Sequence, residues 1–384
     1  MPRVMVSCGE ASGDLYAGAL AAEILRQSPG SEVAGFGGER LREGGGTLLG
    51  DYRGFAVTGL TEALRVLPRS YAMYRRLVGH ARAQRPDVFV AIDFPDFNFR
   101  LAAAIRRLGV PVVYYVGPQL WAWRPGRIRT IRQVADLVLP IFPFEQAIYE
   151  RAGIPVEFVG HPLVDLIRVS EERQPFLAGL GLNPDAPTIA LLPGSRPNEV
   201  GAILPVLARA IDQITARVPA AQFVVARAPK LNDALFAPLE GTQAPVRIVE
   251  GRTDDVLNAC DVVITASGTA TVQTALHERP MVIVYRLSPL TYRLGRRFVS
   301  VDTFGMANLI AGRRVVPELI QDDFTPERTA EEAVAFLTDT ARAAAAREGL
   351  REVRRKLGEP GASARAARAV LEVAARGRAA GVRV

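Results

Sequence analysis

The chain has 384 residues, 49% hydrophobic and 23% charged, which is long for one compact domain, suits two, and excludes global disorder. No apolar run reaches the ~18 residues that would span a bilayer, so an integral helical membrane protein is excluded. The formal charge is +7, and of the 47 basic side chains only Lys230 and Lys356 are lysines; such a balance favours phosphates, acidic lipid headgroups or nucleic acid as partners.

The first segment, MPRVMVSCGEASGD, reads as a strand entering a polar loop, without the apolar core and cleavage site of a signal peptide. Cys8 and Cys260 lie far apart in apolar, strand-like surroundings, so neither a disulfide nor a cysteine zinc site is expected, and a reducing cytoplasm fits. Apolar runs at 4–8, 32–38, 87–93, 110–116, 137–142 and 156–160 predict buried strands, with helical periodicity at 15–27 and 97–108 between them. After a looser stretch at 165–187, runs at 188–194, 222–228, 246–251, 261–268 and 280–286 repeat the same grammar, with helices predicted at 198–217, 254–259 and 269–277. Continuous apolar strands alternating with helices predict parallel sheets covered on both faces. The expected architecture is α/β, with two Rossmann-like domains at 1–166 and 167–345 and a helical tail at 346–384 that crosses back to the first domain. Ligands of such folds sit beyond the carboxyl ends of the strands, here expected in a cleft between the domains.

Four strand ends could carry chemistry. In Gly9-Glu10-Ala11-Ser12-Gly13-Asp14, glycines allow a tight turn and Ser12 or Asp14 could cap a helix starting near Leu15; the alternative is a loop that presents Glu10 or Asp14 to a cleft. Ile92-Asp93-Phe94-Pro95-Asp96-Phe97-Asn98 ends a strand with two carboxylates. Asp96 or Asn98 suits a helix cap, whereas Asp93, held extended ahead of Pro95, suits a general base. Gly194-Ser195-Arg196 has the form strand, turn, helix N-terminus, which fits a phosphate with Arg196 as its bidentate partner. Ser267-Gly268-Thr269 repeats the arrangement. Small residues there also serve close packing, but the two turns together suggest a diphosphate cradle.

His80, His161 and His277 have no metal-like spacing and no Asp-x-Asp motif occurs, so neither a metal nor a cofactor is expected. His161, in Gly160-His161-Pro162, reads as a hydrogen-bonded structural histidine and as the reserve candidate for the base. Segments 57–85 and 286–299 mix arginine with apolar residues, including Leu64, Leu67, Tyr71 and Tyr74 in the first and Arg293, Arg296 and Arg297 in the second. Such helices dock on anionic membranes or merely pack one face on a core.

Together GEASGD at 9–14, IDFPDFN at 92–98, QLWAWR at 119–124, GHPLVD at 160–165, LLPGSR at 191–196, SGTAT at 267–271 and ANLIAGR at 307–313 resemble, in order, the lipid-A-disaccharide synthase family. The resemblance spans about residues 4–320. It implies a GT-B glycosyltransferase, inverting and metal-independent. The donor would be UDP-2,3-diacylglucosamine and the acceptor 2,3-diacylglucosamine 1-phosphate, giving a β-1,6-linked disaccharide 1-phosphate and UDP. Residues 1–166 would then face acceptor and membrane, and 167–345 would bind the UDP donor. By the same resemblance Asp93, Arg196 and Asn308 are essential, and the enzyme works at the cytoplasmic face of the inner membrane through 57–85, with 286–299 as a second candidate. Nucleic acid is not an implied partner, and a homodimer remains open. Gln273 stands where the family commonly has a glutamate suited to the ribose, and Gly117 where serine is often found. A UDP-N-acetylglucosamine 2-epimerase of the same fold is the alternative enzyme. A non-catalytic basic protein would account for the charge but not for the ordered motifs.

Overall fold

The computed structural model describes residues 1–53, 60–118, 125–286 and 303–381. The QLWAWR segment, most of 286–299 and the start of 57–85 therefore lie outside the described residues. The chain forms two compact units, residues 1–165 with 357–384, and residues 166–356.

In the first unit the elements run β1 (Arg3–Cys8), α1 (Ala11–Gln27), β2 (Glu32–Gly37), α2 (Glu39–Glu43), β3 (Thr47–Asp51), α3 (Leu60–Gln84), β4 (Val88–Ile92), α4 (Pro95–Arg106), β5 (Val112–Tyr115), α5 (Ile128–Val134), β6 (Leu137–Leu139), α6 (Pro143–Arg151) and α7 (Leu163–Leu166). The second continues with α8 (Arg173–Gly179), β7 (Thr188–Leu192), α9 (Pro197–Arg217), β8 (Gln222–Arg227), β9 (Val246–Glu250), α10 (Thr253–Ala259), β10 (Val262–Ala266), α11 (Thr269–Leu276), β11 (Met281–Tyr285), α12 (Met306–Ala311), β12 (Glu318–Ile320), α13 (Pro326–Thr338) and α14 (Thr340–Lys356). The last helix, α15 (Ala362–Gly381), returns to the first unit.

Each unit holds one six-stranded parallel sheet, ordered β3-β2-β1-β4-β5-β6 and β12-β11-β10-β7-β8-β9. In both, the order reverses at the middle of the sheet, between β1 and β4 and between β7 and β10. This doubly wound order opens a crevice at the carboxyl ends of those strands. The central strands are covered on both faces: every residue of β4, β7 and β10 is buried, as continuous apolar runs require.

α15 packs on α1, and its buried side chains are mostly small, among them Ala362, Ala366, Val370 and Ala374. Its N-terminus is capped by Asp165, which accepts the Gly361 and Ser363 amides at 2.6 and 3.0 Å. The amide of His161 donates to Leu357 O at 2.8 Å. The GHPLVD motif thus secures the chain where it re-enters the first unit.

Three local expectations change. β3 and β12 are edge strands of five and three residues, too short and too weakly apolar to read from the pattern. The run at 156–160 contributes only the single bridge Val138↔Val156. And α1 begins at Ala11 rather than near Leu15, so Ser12 and Asp14 lie inside its first turn instead of capping it. Asp14 is turned inward, buried, and accepts the amides of Gly38, Arg40 and Leu41 at 2.6, 3.0 and 3.2 Å. It caps α2, where a carboxylate meets unsatisfied N–H groups and the positive end of the helix.

Candidate active site

At the reversal of the first sheet, β1 ends in Gly9 and Glu10, and β4 ends in Asp93. Glu10 is the N-cap of α1 in extended backbone, and its side chain makes no cap bond. Asp93 and Phe94 have φ of 44° and 51°, both left-handed rather than the extended backbone expected ahead of Pro95. For non-glycine residues each such conformation costs on the order of 1–3 kcal/mol and persists only where the surroundings enforce it.

The surroundings here do. Asn98 is fully buried, and its Nδ2 donates to Asp93 O at 2.8 Å and to Ser7 O at 3.1 Å while its Oδ1 accepts the Ser7 hydroxyl at 2.7 Å. The Tyr114 hydroxyl also donates to Asp93 O, at 2.9 Å. Phe94 lies over Gly9, where a Cβ would come within 2.2 Å of the ring. Only glycine fits at that position.

Burial raises the Tyr16 and Tyr114 hydroxyl pKa values, and the charge of Asp93 raises them further; at Tyr149, burial and Glu145 act ahead of Asp93. Three protonated phenols therefore lie within the field of the half-buried Asp93. Asp96 does not cap α4, because Phe94 occupies the N-cap position. It is exposed and pairs with Arg127.

His161 is buried, with Nδ1 accepting the Leu163 amide at 3.1 Å and the ring against Tyr16 and Phe142 at 5.9 and 5.4 Å. Burial pushes the imidazole down to about 3, which makes it a poor proton acceptor. Its contacts are those of a structural histidine.

At the reversal of the second sheet, β7 leads through Gly194, Ser195 and Arg196 into α9, and β10 through Ser267 and Gly268 into α11 at Thr269. Gly194 has φ of 119° and Gly268 of 143°, and a Cβ on Gly268 would meet none of the described residues within 4 Å, so among these residues the turn is open above its backbone. The first turn is already engaged. Glu199 accepts the Ser195 and Arg196 amides, each at 3.3 Å, and pairs with the Arg196 guanidinium at 3.3 Å. The Tyr285 hydroxyl pKa is raised by burial and then by Glu199, with Arg196 opposing, which puts the end of β11 in the same cluster.

Asn308 is fully buried, and its four hydrogen-bonding positions are spent on the chain itself. Nδ2 donates to Val316 O at 2.9 Å and to Glu318 Oε1 at 2.6 Å, while Oδ1 accepts the Val315 and Val316 amides at 2.8 and 3.1 Å. Glu318 also accepts the Phe304 and Gly305 amides, at 2.8 and 3.0 Å, and Phe304 O accepts the Ser267 hydroxyl at 3.2 Å. Asn308 thus connects, through Glu318, to the SGT turn. Gln273, in the second turn of α11, donates Nε2 to Asp254 Oδ1 at 2.7 Å.

Sequence reasoning missed Glu199, Tyr285, Glu318 and Asp254. A glutamate at the third helical position signals Glu199, and a carboxylate inside the apolar run VVPELI signals Glu318. Nothing in the sequence singles out Tyr285 or Asp254. An open cavity of about 320 Å³ lined by Arg173, Pro187, Asp261 and Phe336 lies at the opposite, amino-terminal edge of the second sheet. Arg173 there is tied to Asp261 at 2.9 Å, a structural ion pair. Among the described residues no cluster of three or more His, Cys, Asp or Glu side chains is placed to hold a metal.

From Leu67 onward α3 is amphipathic in an unusual way. Leu77 and Ala81 enter the core, but Leu67 and Tyr71 are 54% and 62% exposed beside exposed Arg69, Arg75 and Arg76. Arg286, the described end of the second arginine-rich segment, donates to Phe324 O at 2.5 Å and lies 5.1 Å over the Phe324 ring. No helix among the described residues is long and apolar enough to cross a membrane.

Residues 4–373 match the family described as lipid-A-disaccharide synthetase. The chain is 44% identical over 375 residues to the lipid-A-disaccharide synthase of Geobacter sulfurreducens, covering 97% of both proteins. It is 43% identical over 378 residues to that of Myxococcus xanthus, covering 98% of this chain and 99% of the relative. In fold it is similar to the UDP-GlcNAc 2-epimerase of Neisseria meningitidis bound to UDP-GlcNAc, with a TM-score of 0.66, 13% identity and coverage of 97% of this chain and 100% of that one. It is also similar to a calicheamicin glycosyltransferase, with a TM-score of 0.63, 16% identity and coverage of 98% and 99%. At such identities these two likenesses speak for the fold alone.

The burial of His161 has a measurable consequence. Because its folded pKa lies below the unfolded value of about 6.5, the unfolded chain binds the extra proton first, and stability from this residue is lost as pH falls below about 6.5. In proton NMR the His161 ring signals are expected to stay constant from pH 8 to 5; a midpoint near pH 6.5 would show an exposed, titrating imidazole.

Proposed function

The chain belongs to the lipid-A-disaccharide synthase family and is a glycosyltransferase of lipid A assembly; from that premise we propose how its two strand-end clusters divide the work. The donor is UDP-2,3-diacylglucosamine and the acceptor 2,3-diacylglucosamine 1-phosphate. The acceptor's 6-hydroxyl oxygen attacks the donor's anomeric carbon on the face opposite the departing UDP, which gives the β-1,6 linkage with inversion.

Asp93 is the general base. A sugar hydroxyl is far too weak an acid to ionise beforehand, so the carboxylate takes its proton as the C–O bond forms, a contribution of about 10²–10⁴-fold. The observation that carries this role is the left-handed pair Asp93–Phe94, enforced by Asn98, Tyr114 and Gly9 at the reversal of the sheet. Strain of this kind is retained where a side chain must be aimed. The neighbouring phenols are buried and stay protonated, so they pack around Asp93 without competing for the proton.

The UDP belongs to the second unit. The N-termini of α9 and α11 and the Arg196 guanidinium are its positive groups, and they act on charge that grows as the sugar–phosphate bond breaks. Arg196 exchanges its Glu199 partner for phosphate when donor binds. Asn308, saturated by its own loop, is a positioning residue: it fixes Glu318, which holds the Phe304–Gly305 turn that receives Ser267. An epimerase would share the fold, but it acts on the donor alone and has no use for a base that serves an acceptor hydroxyl.

Both substrates carry acyl chains, so the reaction belongs at a membrane surface, here the cytoplasmic face of the inner membrane. The exposed Leu67 and Tyr71 with Arg69, Arg75 and Arg76 give α3 apolar anchors among cations, the pattern of an interfacial helix.

Two experiments test these assignments. Asp93→Asn keeps the shape and removes the basic site; it should melt like the wild type, retain UDP affinity and lose at least ~10²-fold in kcat. Near-normal turnover would remove Asp93 from the chemistry. Changing Leu67 and Tyr71 together to serine should weaken binding to anionic phosphatidylglycerol vesicles while the melting temperature changes little. Unchanged vesicle binding would place the docking surface elsewhere.

A further inference from the structure

The departure at position 273 has a partner in space. Gln273 and His277 are four residues apart and so share one face of α11. Asp254, in the first turn of α10, lies against that face: its Oδ1 is 2.7 Å from Gln273 Nε2 and 2.9 Å from His277 Nε2, and its Oδ2 accepts the Arg168 amide at 2.9 Å.

The chemistry of the three groups fixes their orientation. An ionised carboxylate only accepts, so Gln273 must turn its NH2 end toward Asp254, and His277 must carry its proton on Nε2. Burial raises the Asp254 pKa, but the hydrogen bonds from His277, the Arg168 amide and Gln273 outweigh it, and the acid is held below its ordinary value and stays ionised. The amide of Gln273 therefore cannot flip without facing one oxygen with another. Its Oε1 points away from Asp254, and no donor among the described residues is bonded to it. Gln273 is half-buried, one turn into the helix whose N-terminus carries the open Gly268 turn.

We propose that Asp254, braced by His277, is a positioning residue that locks the Gln273 carboxamide with Oε1 outward, so that a neutral side chain presents a fixed hydrogen-bond acceptor to the ribose diol of the nucleotide donor. This inference rests on the assignment of the UDP site to the second unit. A glutamate presents two acceptor oxygens however it turns; a free glutamine would present donor or acceptor about equally and would lose part of its binding energy to sorting between them. With Asp254 in place that loss disappears. The same geometry makes a glutamate at 273 unsuitable in this chain, since its carboxylate would face the Asp254 carboxylate at hydrogen-bond distance, and like charges so placed disfavour each other.

The test is calorimetric titration with UDP of four full-length proteins: wild type, Gln273→Glu, Asp254→Asn, and the double variant, each with its melting temperature. Gln273→Glu is expected to bind UDP about tenfold more weakly than wild type, and Asp254→Asn, which frees the amide to flip, several-fold more weakly. The double variant is expected to recover to within about threefold of wild type. In it the Nδ2 of the amide introduced at position 254 donates one N–H to the carboxylate introduced at position 273 and the other to His277 Nε2, the imidazole taking its Nδ1–H tautomer, and the second carboxylate oxygen is left to the ribose. A purely structural role for Asp254 would not produce that recovery. Gln273→Glu binding as tightly as wild type overturns the proposal, as does a double variant that melts normally yet binds no better than Gln273→Glu. Should Gln273→Glu fail to fold, unchanged UDP affinity in Asp254→Asn overturns it alone. If the wild-type protein itself binds no UDP, the assignment of the donor site fails instead.

Discussion

The Asn98 carboxamide, buried between the last residues of β1 and β4, is the interaction on which the first cluster depends. It ties the carbonyl of Asp93 to the carbonyl and hydroxyl of Ser7, so that two strands end in one hydrogen-bonded unit. Each of its bonds contributes about 1 kcal/mol net, and losing a buried partner costs more than that. Together with the Tyr114 hydroxyl these bonds are of the size needed to hold two consecutive left-handed residues that would otherwise relax. The Phe94 ring over Gly9 then prevents the chain from turning any other way. The backbone at Asp93 is thus fixed by its neighbours rather than by its own side chain.

The rest of the molecule applies a related device. Side-chain carboxylates cap helix N-termini or the turns that lead into them: Asp14 for α2, Asp165 for α15, Glu199 for α9 and Glu318 for α12. Each places an anion where unsatisfied N–H groups and the macrodipole favour it. They differ in what surrounds them. Asp14 is buried with its bonds to α2 internal to the first unit. Glu199 shares its turn with Arg196 and Tyr285, so the same electrostatic preference that now serves a carboxylate can serve a phosphate.

Much of this is legible in the sequence because parallel sheets demand continuous apolar strands, and β1, β4, β5, β7, β8 and β10 supply them in order. β3 and β12 escape because short edge strands need little hydrophobicity. The strand-end motifs name Asp93, Arg196 and the SGT turn, since strand, turn and helix follow each other locally. What stays hidden is tertiary. The start of α1 reads wrongly because Asp14 resembles a cap for its own helix while it serves another. Asn308 and Glu318 lie ten residues apart and meet only when β12 joins the sheet. Asp254 and Gln273 lie on separate helices nineteen residues apart, so the sequence shows a missing charge at 273 and not the carboxylate that stands beside it.

On the proposed division, the second unit holds UDP and Asp93 takes the proton, so bound nucleotide touches one strand-end cluster and leaves the other alone. Amide hydrogen exchange with and without saturating UDP tests it most directly, because bound phosphate engages the helix N-terminal N–H groups. Slowed exchange is expected at residues 194–200 and 267–273, with 9–14 and 92–98 unchanged. Protection at 9–14 and 92–98, with the second unit unaffected, would contradict it.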